Sequence, residues 1–68
     1  MRIRLREVRL AKLLTQEEVA QRAGLSEATV NRIETGSHEA RISTVRKLAA
    51  ALDVDPTVLI VASGSTAE

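Results

Sequence analysis

Gln16-Glu17-Glu18-Val19-Ala20-Gln21-Arg22-Ala23-Gly24-Leu25-Ser26-Glu27-Ala28-Thr29-Val30-Asn31-Arg32-Ile33-Glu34-Thr35 is two short amphipathic stretches separated by a glycine. Before the glycine, Val19, Ala20 and Ala23 fall on one helical face. After it, Val30 and Ile33 do the same. Thr15 and Ser26 stand where helix caps belong, and Thr15 with Glu18 three residues later makes a capping box. Gly24 supplies a residue tolerant of a left-handed backbone. A join as short as Gly24-Leu25-Ser26 sets the two helices at a steep angle, which requires small residues at the crossing. Ala20 and Ala23 meet that requirement.

Working outward, the same punctuation predicts three more helices. The first spans about residues 3–13, with Leu5 and Val8 inward. The two helices of the quoted stretch span about 16–23 and 27–35, ending at Gly24 and Gly36. The fourth covers about 44–52 behind Ser43 as its cap, with Val45, Leu48, Ala49 and Leu52 at the i, i+3, i+4, i+7 spacing. The fifth covers about 56–61 behind Asp55-Pro56, a cap followed by proline at the first helical position. No stretch is read as a strand, although Val58-Leu59-Ile60-Val61 is β-friendly. The expected fold is all-α: one domain over residues 1–62 and a small polar tail over 63–68.

Composition narrows the function. The chain of 68 residues suffices for a single domain, and 44% apolar content argues against disorder. The absence of Cys removes disulfides, thiolate metal sites and cysteine nucleophiles, and suits the cytoplasm. The absence of Phe, Tyr and Trp removes the aromatic platforms on which single strands and RNA are usually stacked. His38 is the only histidine and makes neither a metal site nor a triad. Glu17 and Glu18 point to different helix faces and form no acid–base pair. An enzyme is therefore not expected, and no cofactor is implied. No apolar run is long enough to span a membrane.

Two short helices joined in this way form a helix-turn-helix, whose second helix enters the major groove of DNA. At about 100° per residue, Val30 and Ile33 of that helix face the core. Ala28, Asn31, Arg32 and Thr35 lie opposite, with Glu27 at the edge. Arg can hold guanine in a bidentate pair, Glu can accept from cytosine, and Ala can touch a thymine methyl. Gln16 opens the preceding helix, where backbone N–H groups suit a phosphate. The N-terminal arginines and Arg41 are further candidates for the DNA backbone. Ser26 and Thr29 complete the candidate DNA-contacting set of Gln16, Ser26, Glu27, Ala28, Thr29, Asn31, Arg32 and Arg41. Ser43 reads as a cap rather than a contact.

Leu14 to Ser26 and Val30-Asn31-Arg32-Ile33-Glu34-Thr35-Gly36, continued by Leu48 to Pro56, resemble the lambda-repressor-like family of Cro and CI regulators. The resemblance covers about residues 3–60. It implies a compact five-helix domain that binds double-stranded operator DNA, commonly as a dimer. It also implies that Glu27, Ala28 and Arg32 touch bases, that Gln16 touches phosphate and a neighbouring side chain, and that Arg9 pairs with Glu34. Two positions depart from the family pattern. Leu13 stands where glycine or a polar residue is frequent, and Glu27 stands where neutral or basic side chains are frequent.

The sequence therefore predicts a DNA-binding transcriptional regulator, a repressor acting as a homodimer. Helix 5 is its expected seam, and Leu10 with Leu13 makes a second apolar patch. An antitoxin-like protein that neutralises a partner toxin and autoregulates its operon is the alternative. A third reading is the DNA-binding half of a longer regulator.

Overall fold

The computed structural model describes residues 2–60. Five helices follow one another: α1 (Leu5–Ala11), α2 (Gln16–Ala23), α3 (Glu27–Thr35), α4 (Ile42–Leu52) and α5 (Pro56–Leu59). The all-α expectation is borne out, and α2 and α3 have the predicted bounds. The predicted tail, 63–68, lies outside the described residues.

One core holds the helices. Leu5 and Val8 of α1 meet Val19, Ala20 and Ala23 of α2, Val30 and Ile33 of α3, and Val45, Leu48, Ala49 and Leu52 of α4. Leu59 is fully buried and anchors α5. Helix α2 packs against both α3 and α4, while α5 rests on α4. With no aromatic ring available, the core is filled by Leu, Val, Ile and Ala.

Helices α1 to α4 all end in the same way. Leu13, Gly24, Gly36 and Asp53 have left-handed backbones, with φ of 59°, 71°, 85° and 58°. In each case the next residue's N–H returns to a carbonyl five residues back. Leu14 donates to Arg9, Leu25 to Ala20, Ser37 to Arg32, and Val54 to Ala49. This is the Schellman closure, which satisfies carbonyls that a helix end leaves orphaned. Leu14, Leu25 and Val54 then turn inward against the core. A Cβ built on Gly24 would meet nothing within 4 Å, so the demand for glycine there comes from φ alone.

Four predicted boundaries are corrected. Helix α1 begins at Leu5 rather than about residue 3, because Ile3 forms an antiparallel bridge with Ile60. The adjoining Arg4 N–H donates to the Leu59 carbonyl at 2.8 Å, so the arm is committed to a distant partner. That bridge also ends α5 at Leu59 rather than about residue 61, leaving Ile60 extended at φ −72°, ψ 128°. Helix α1 stops at Ala11, because the backbone reverses at Leu13. Helix α4 begins at Ile42, ahead of the predicted residue 44. Its first carbonyl acceptor is Arg41, which takes the Val45 N–H at 2.8 Å. Ser43 therefore sits within the first turn and is not the cap; Arg41 occupies that position with no side-chain capping bond.

The remaining predicted caps form. Thr15 Oγ1 accepts from the Glu18 N–H at 3.0 Å, and the Thr15 N–H donates to Glu18 Oε1 at 2.8 Å. Asp55 Oδ1 accepts from the Thr57 N–H at 2.9 Å. These hydrogen bonds, chiefly the one from the Thr15 backbone in the first case and from the Thr57 backbone in the second, hold both carboxyls below their ordinary range.

Two predictions follow from the helix ends. Leu13 is 90% exposed, so its side chain gains little to offset its left-handed backbone. Leu13→Asn or Leu13→Gly is expected to stabilise the domain by about 1 kcal/mol. In a domain this small that amounts to roughly 4–8 °C in thermal midpoint, measured by circular dichroism; Leu13→Val should move it the other way. The Glu18 carboxylate is favoured in the folded state, so its contribution is full above the unfolded carboxyl range. It is lost as pH falls through the lower folded value. The difference in midpoint between wild type and Glu18→Gln should be present at neutral pH and shrink as pH falls below about 4.

Candidate nucleic-acid interface

Three backbone decisions position α3. The left-handed Gly24 ends α2, Leu25 packs inward, and the Ser26 Oγ accepts the Thr29 N–H at 3.1 Å to start the helix. Val30 and Ile33 bury one side of α3. The opposite side leaves Glu27, Ala28, Asn31, Arg32 and Thr35 exposed, as the helical phase predicts. Two candidates are partly committed elsewhere. The Ser26 and Thr29 hydroxyls hydrogen-bond each other at 2.8 Å, and Thr29 is half-buried.

The C-terminal half of α3 is held from behind by an ion pair. Arg9 Nε donates to Glu34 Oε2 at 2.6 Å, and Arg9 Nη2 donates to Glu34 Oε1 at 3.0 Å. The two side chains are 11% and 4% exposed. The Glu34 hydrogen bonds raise the Arg9 guanidinium above its ordinary value, with burial acting against them. Arg9 Nη1 reaches the Leu14 carbonyl at 2.9 Å, fixing the turn between α1 and α2. Gln16 Nε2 donates to Glu34 Oε1 at 3.0 Å. Gln16 is thus tied to the last turn of α3, while its position at the head of α2 keeps it beside the helix start.

Arg32 and Arg41 are brought together. Both line a groove between α3, the loop that follows it and the beginning of α4. Glu27, Ala28 and Asn31 lie outside this groove. His38 and Lys47 line it as well, two side chains outside the DNA-contacting set expected from the sequence. Thr44 and Lys47 stand three residues apart and so share a face of α4. Their shared face follows from helical spacing, but the groove does not, because its other residues come from α3 and the loop. The N-terminal Arg2 and Arg4 line a neighbouring hollow with Glu7, Thr35 and Gly36, and the two concavities share Ile33, His38 and Glu39.

The apolar patches also have definite places. Leu10 is 50% and Val58 45% exposed, and Ile42 joins them as an exposed side chain that the periodicity did not single out. Ile60, by contrast, is half-buried against the core. Within α5 the surface available to a second copy is therefore centred on Val58, not Ile60. Val61 lies outside the described residues.

Among the described residues no group of three or more His, Asp or Glu side chains is arranged to hold a metal ion. No helix there is long and apolar enough to cross a membrane.

Known proteins share this arrangement. A helix-turn-helix family model matches residues 5–59. The uncharacterized HTH-type transcriptional regulator RghRB of Bacillus subtilis (strain 168) is 41% identical over 61 residues. The match takes in 88% of this chain and 44% of that protein, so the chain spans less than half of its relative's length. The crystal structure of the restriction-modification controller protein C.AhdI from Aeromonas hydrophila superposes with a TM-score of 0.81 at 42% identity. That superposition covers 84% of this chain and 86% of the controller.

The ion pair behind α3 yields a prediction. Removing one partner leaves the other charge nearly buried, so Glu34→Ala should destabilise by about 3–5 kcal/mol. The double replacement Arg9→Met with Glu34→Leu removes both charges and should lose much less than the sum of the single losses. Urea denaturation of wild type, Arg9→Met, Glu34→Leu and the double variant, a double-mutant cycle, measures this coupling.

Proposed function

The chain belongs to the Cro/CI-type helix-turn-helix family, and on that premise we propose that it is a sequence-specific transcriptional regulator that binds double-stranded DNA. It reads the major groove with α3 and acts as a repressor, since occupancy of an operator blocks access to the duplex. The observation that carries this reading is the division of α3. One face is buried and pinned through Glu34 to α1 and α2. The other presents Glu27, Ala28, Asn31, Arg32 and Thr35 to solvent. A helix held rigidly from behind with a mixed polar and small front is suited to base edges. Its relatives' descriptions, a transcriptional regulator and a restriction-modification controller, support a role in setting expression.

In this reading Arg32 takes guanine, Glu27 accepts from cytosine, and Ala28 meets a thymine methyl. Gln16 and Arg41 hold phosphates on either side. The protein works in the cytoplasm as a homodimer, because one helix-turn-helix covers one half-site and a two-fold pair reads a palindrome. Val58 is the exposed apolar residue of α5, the proposed seam. The function is binding rather than catalysis, and it uses no cofactor.

Binding-site selection on random duplex DNA tests all of this together. Wild type is expected to enrich a palindrome whose half-site centres lie about 10–10.5 base pairs, or a multiple of that, apart. Arg32→Ala should lose roughly 1–3 kcal/mol and relax preference at one position of each half-site. Enrichment of no sequence overturns the reading. An unchanged preference in Arg32→Ala removes Arg32 from base recognition.

A further inference from the structure

Between the N-terminal arm and the last turn of α3 lies a hollow of about 660 Å³. That volume is within the span of small-ligand sites, about 300–1,000 Å³. Arg2 and Arg4 line it from the arm, Glu7 from α1, and Thr35 and Gly36 from the end of α3. Opposite charges thus line one hollow without meeting. Arg2, Arg4 and Glu7 are exposed, and among the described residues none of their side chains has a hydrogen bond or ion pair. Glu34 backs onto the same hollow, but its carboxylate is taken by Arg9 and Gln16. The apolar part of the wall is Ile3 and Ile33. Ile33 is buried and Ile3 is held by its bridge to Ile60, so that part of the wall is fixed.

Each part of this wall selects a part of the ligand. The Arg2 and Arg4 guanidiniums repel one another, and a carboxylate that accepts from both relieves the repulsion. A carboxylate alone is repelled by Glu7, so the ligand carries an ammonium for that side. The carbonyl end of α3, at Thr35 and Gly36, attracts the same positive charge. Arg4 and Glu7 stand only three residues apart at the start of α1, so the two charges of the ligand are close together. Ile3 and Ile33 match an apolar side chain, whose burial on them is favourable. We propose that the hollow binds a free α-amino acid with an apolar side chain, and that this ligand is an effector of DNA binding. Once engaged by the ligand, Arg2 and Arg4 are withdrawn from DNA phosphates, so the ligand lowers affinity for the duplex. By linkage, bound DNA lowers affinity for the ligand by the same factor. The site stands on the chemistry of the hollow; its regulatory effect rests on the DNA-binding reading of the preceding section.

Isothermal titration calorimetry of the full chain without DNA tests the site, with L-leucine as the probe. N-acetyl-L-leucine keeps only the negative charge and L-leucinamide only the positive one. Leucine should bind saturably in the millimolar range or tighter. Each analogue should bind roughly tenfold or more weakly, since each loses one charge-assisted contact. Glu7→Gln should weaken leucine and leave N-acetyl-L-leucine as in wild type, whereas Arg4→Gln should weaken both. A merely structural effect of either variant does not produce that crossed pattern. The proposal is overturned when leucine shows no saturable binding, when either analogue binds as tightly as leucine, or when Glu7→Gln weakens leucine and its N-acetyl form alike. Fluorescence anisotropy on the selected duplex tests the effector role. Saturating leucine should weaken DNA binding by wild type about fivefold or more, and Glu7→Gln should respond much less at the same leucine concentration. An unchanged DNA affinity with leucine bound overturns that role. Absence of binding to any duplex by wild type removes the DNA-binding reading instead, and calorimetry still decides the site.

Discussion

Glu34 accepts hydrogen bonds from Arg9 Nε, Arg9 Nη2 and Gln16 Nε2, and through them one carboxylate joins three helices. Arg9 closes a second ring within its own turn: its carbonyl takes the Leu14 N–H and its guanidinium donates to the Leu14 carbonyl. The exit of α1, the entry of α2 and the last turn of α3 are therefore fixed by a single cluster. Attraction within such a pair is offset by the loss of hydration, so its net contribution to stability is smaller than its geometry suggests. Its directionality is what the apolar core lacks. Val30 and Ile33 would tolerate a small rotation of α3, whereas a two-pronged guanidinium–carboxylate contact does not. A helix that reads base edges must keep its rotation, and a contact behind it keeps the front free.

The helix ends impose the second constraint. Four closures of one kind let four helices turn within a few residues while the residue after each turn, in three cases, returns to the core. Two of the left-handed positions hold glycine and one holds Asp, a side chain that tolerates the region. Leu13 is the exception, and it gives a physical meaning to the departure noted at that position: the family's glycine or polar residue suits the backbone that Leu13 is forced to adopt.

How much of this was legible follows from the range of the interactions. The bounds of α2 and α3 could be read because Thr15, Glu18, Gly24, Ser26 and Gly36 act within a few residues of themselves. The exposed face of α3 followed from helical phase. The start of α4 was misplaced because Ser43 is a good cap that the backbone did not use. The start of α1 and the end of α5 depend on the Ile3–Ile60 bridge, which no local pattern announces. The Arg9–Glu34 pair was expected from family resemblance alone; periodicity gives no reason to bury an arginine at the edge of an apolar stripe. The groove around Lys47 escaped notice because its residues come from α3, a loop and α4, and only folding makes them neighbours.

The Ile3–Ile60 bridge gives the chain the topology of a ring that lacks one covalent link. Almost the whole described sequence lies inside the loop it closes, so closing it carries nearly the largest entropy of any contact in the molecule. Because positions 3 and 60 already touch, a short linker could join them and the chain could be reopened in a turn, such as the one after Leu13, with every helix keeping its neighbours. The order in which the helices are connected is thus less essential to this architecture than the arrangement in space that the connections serve.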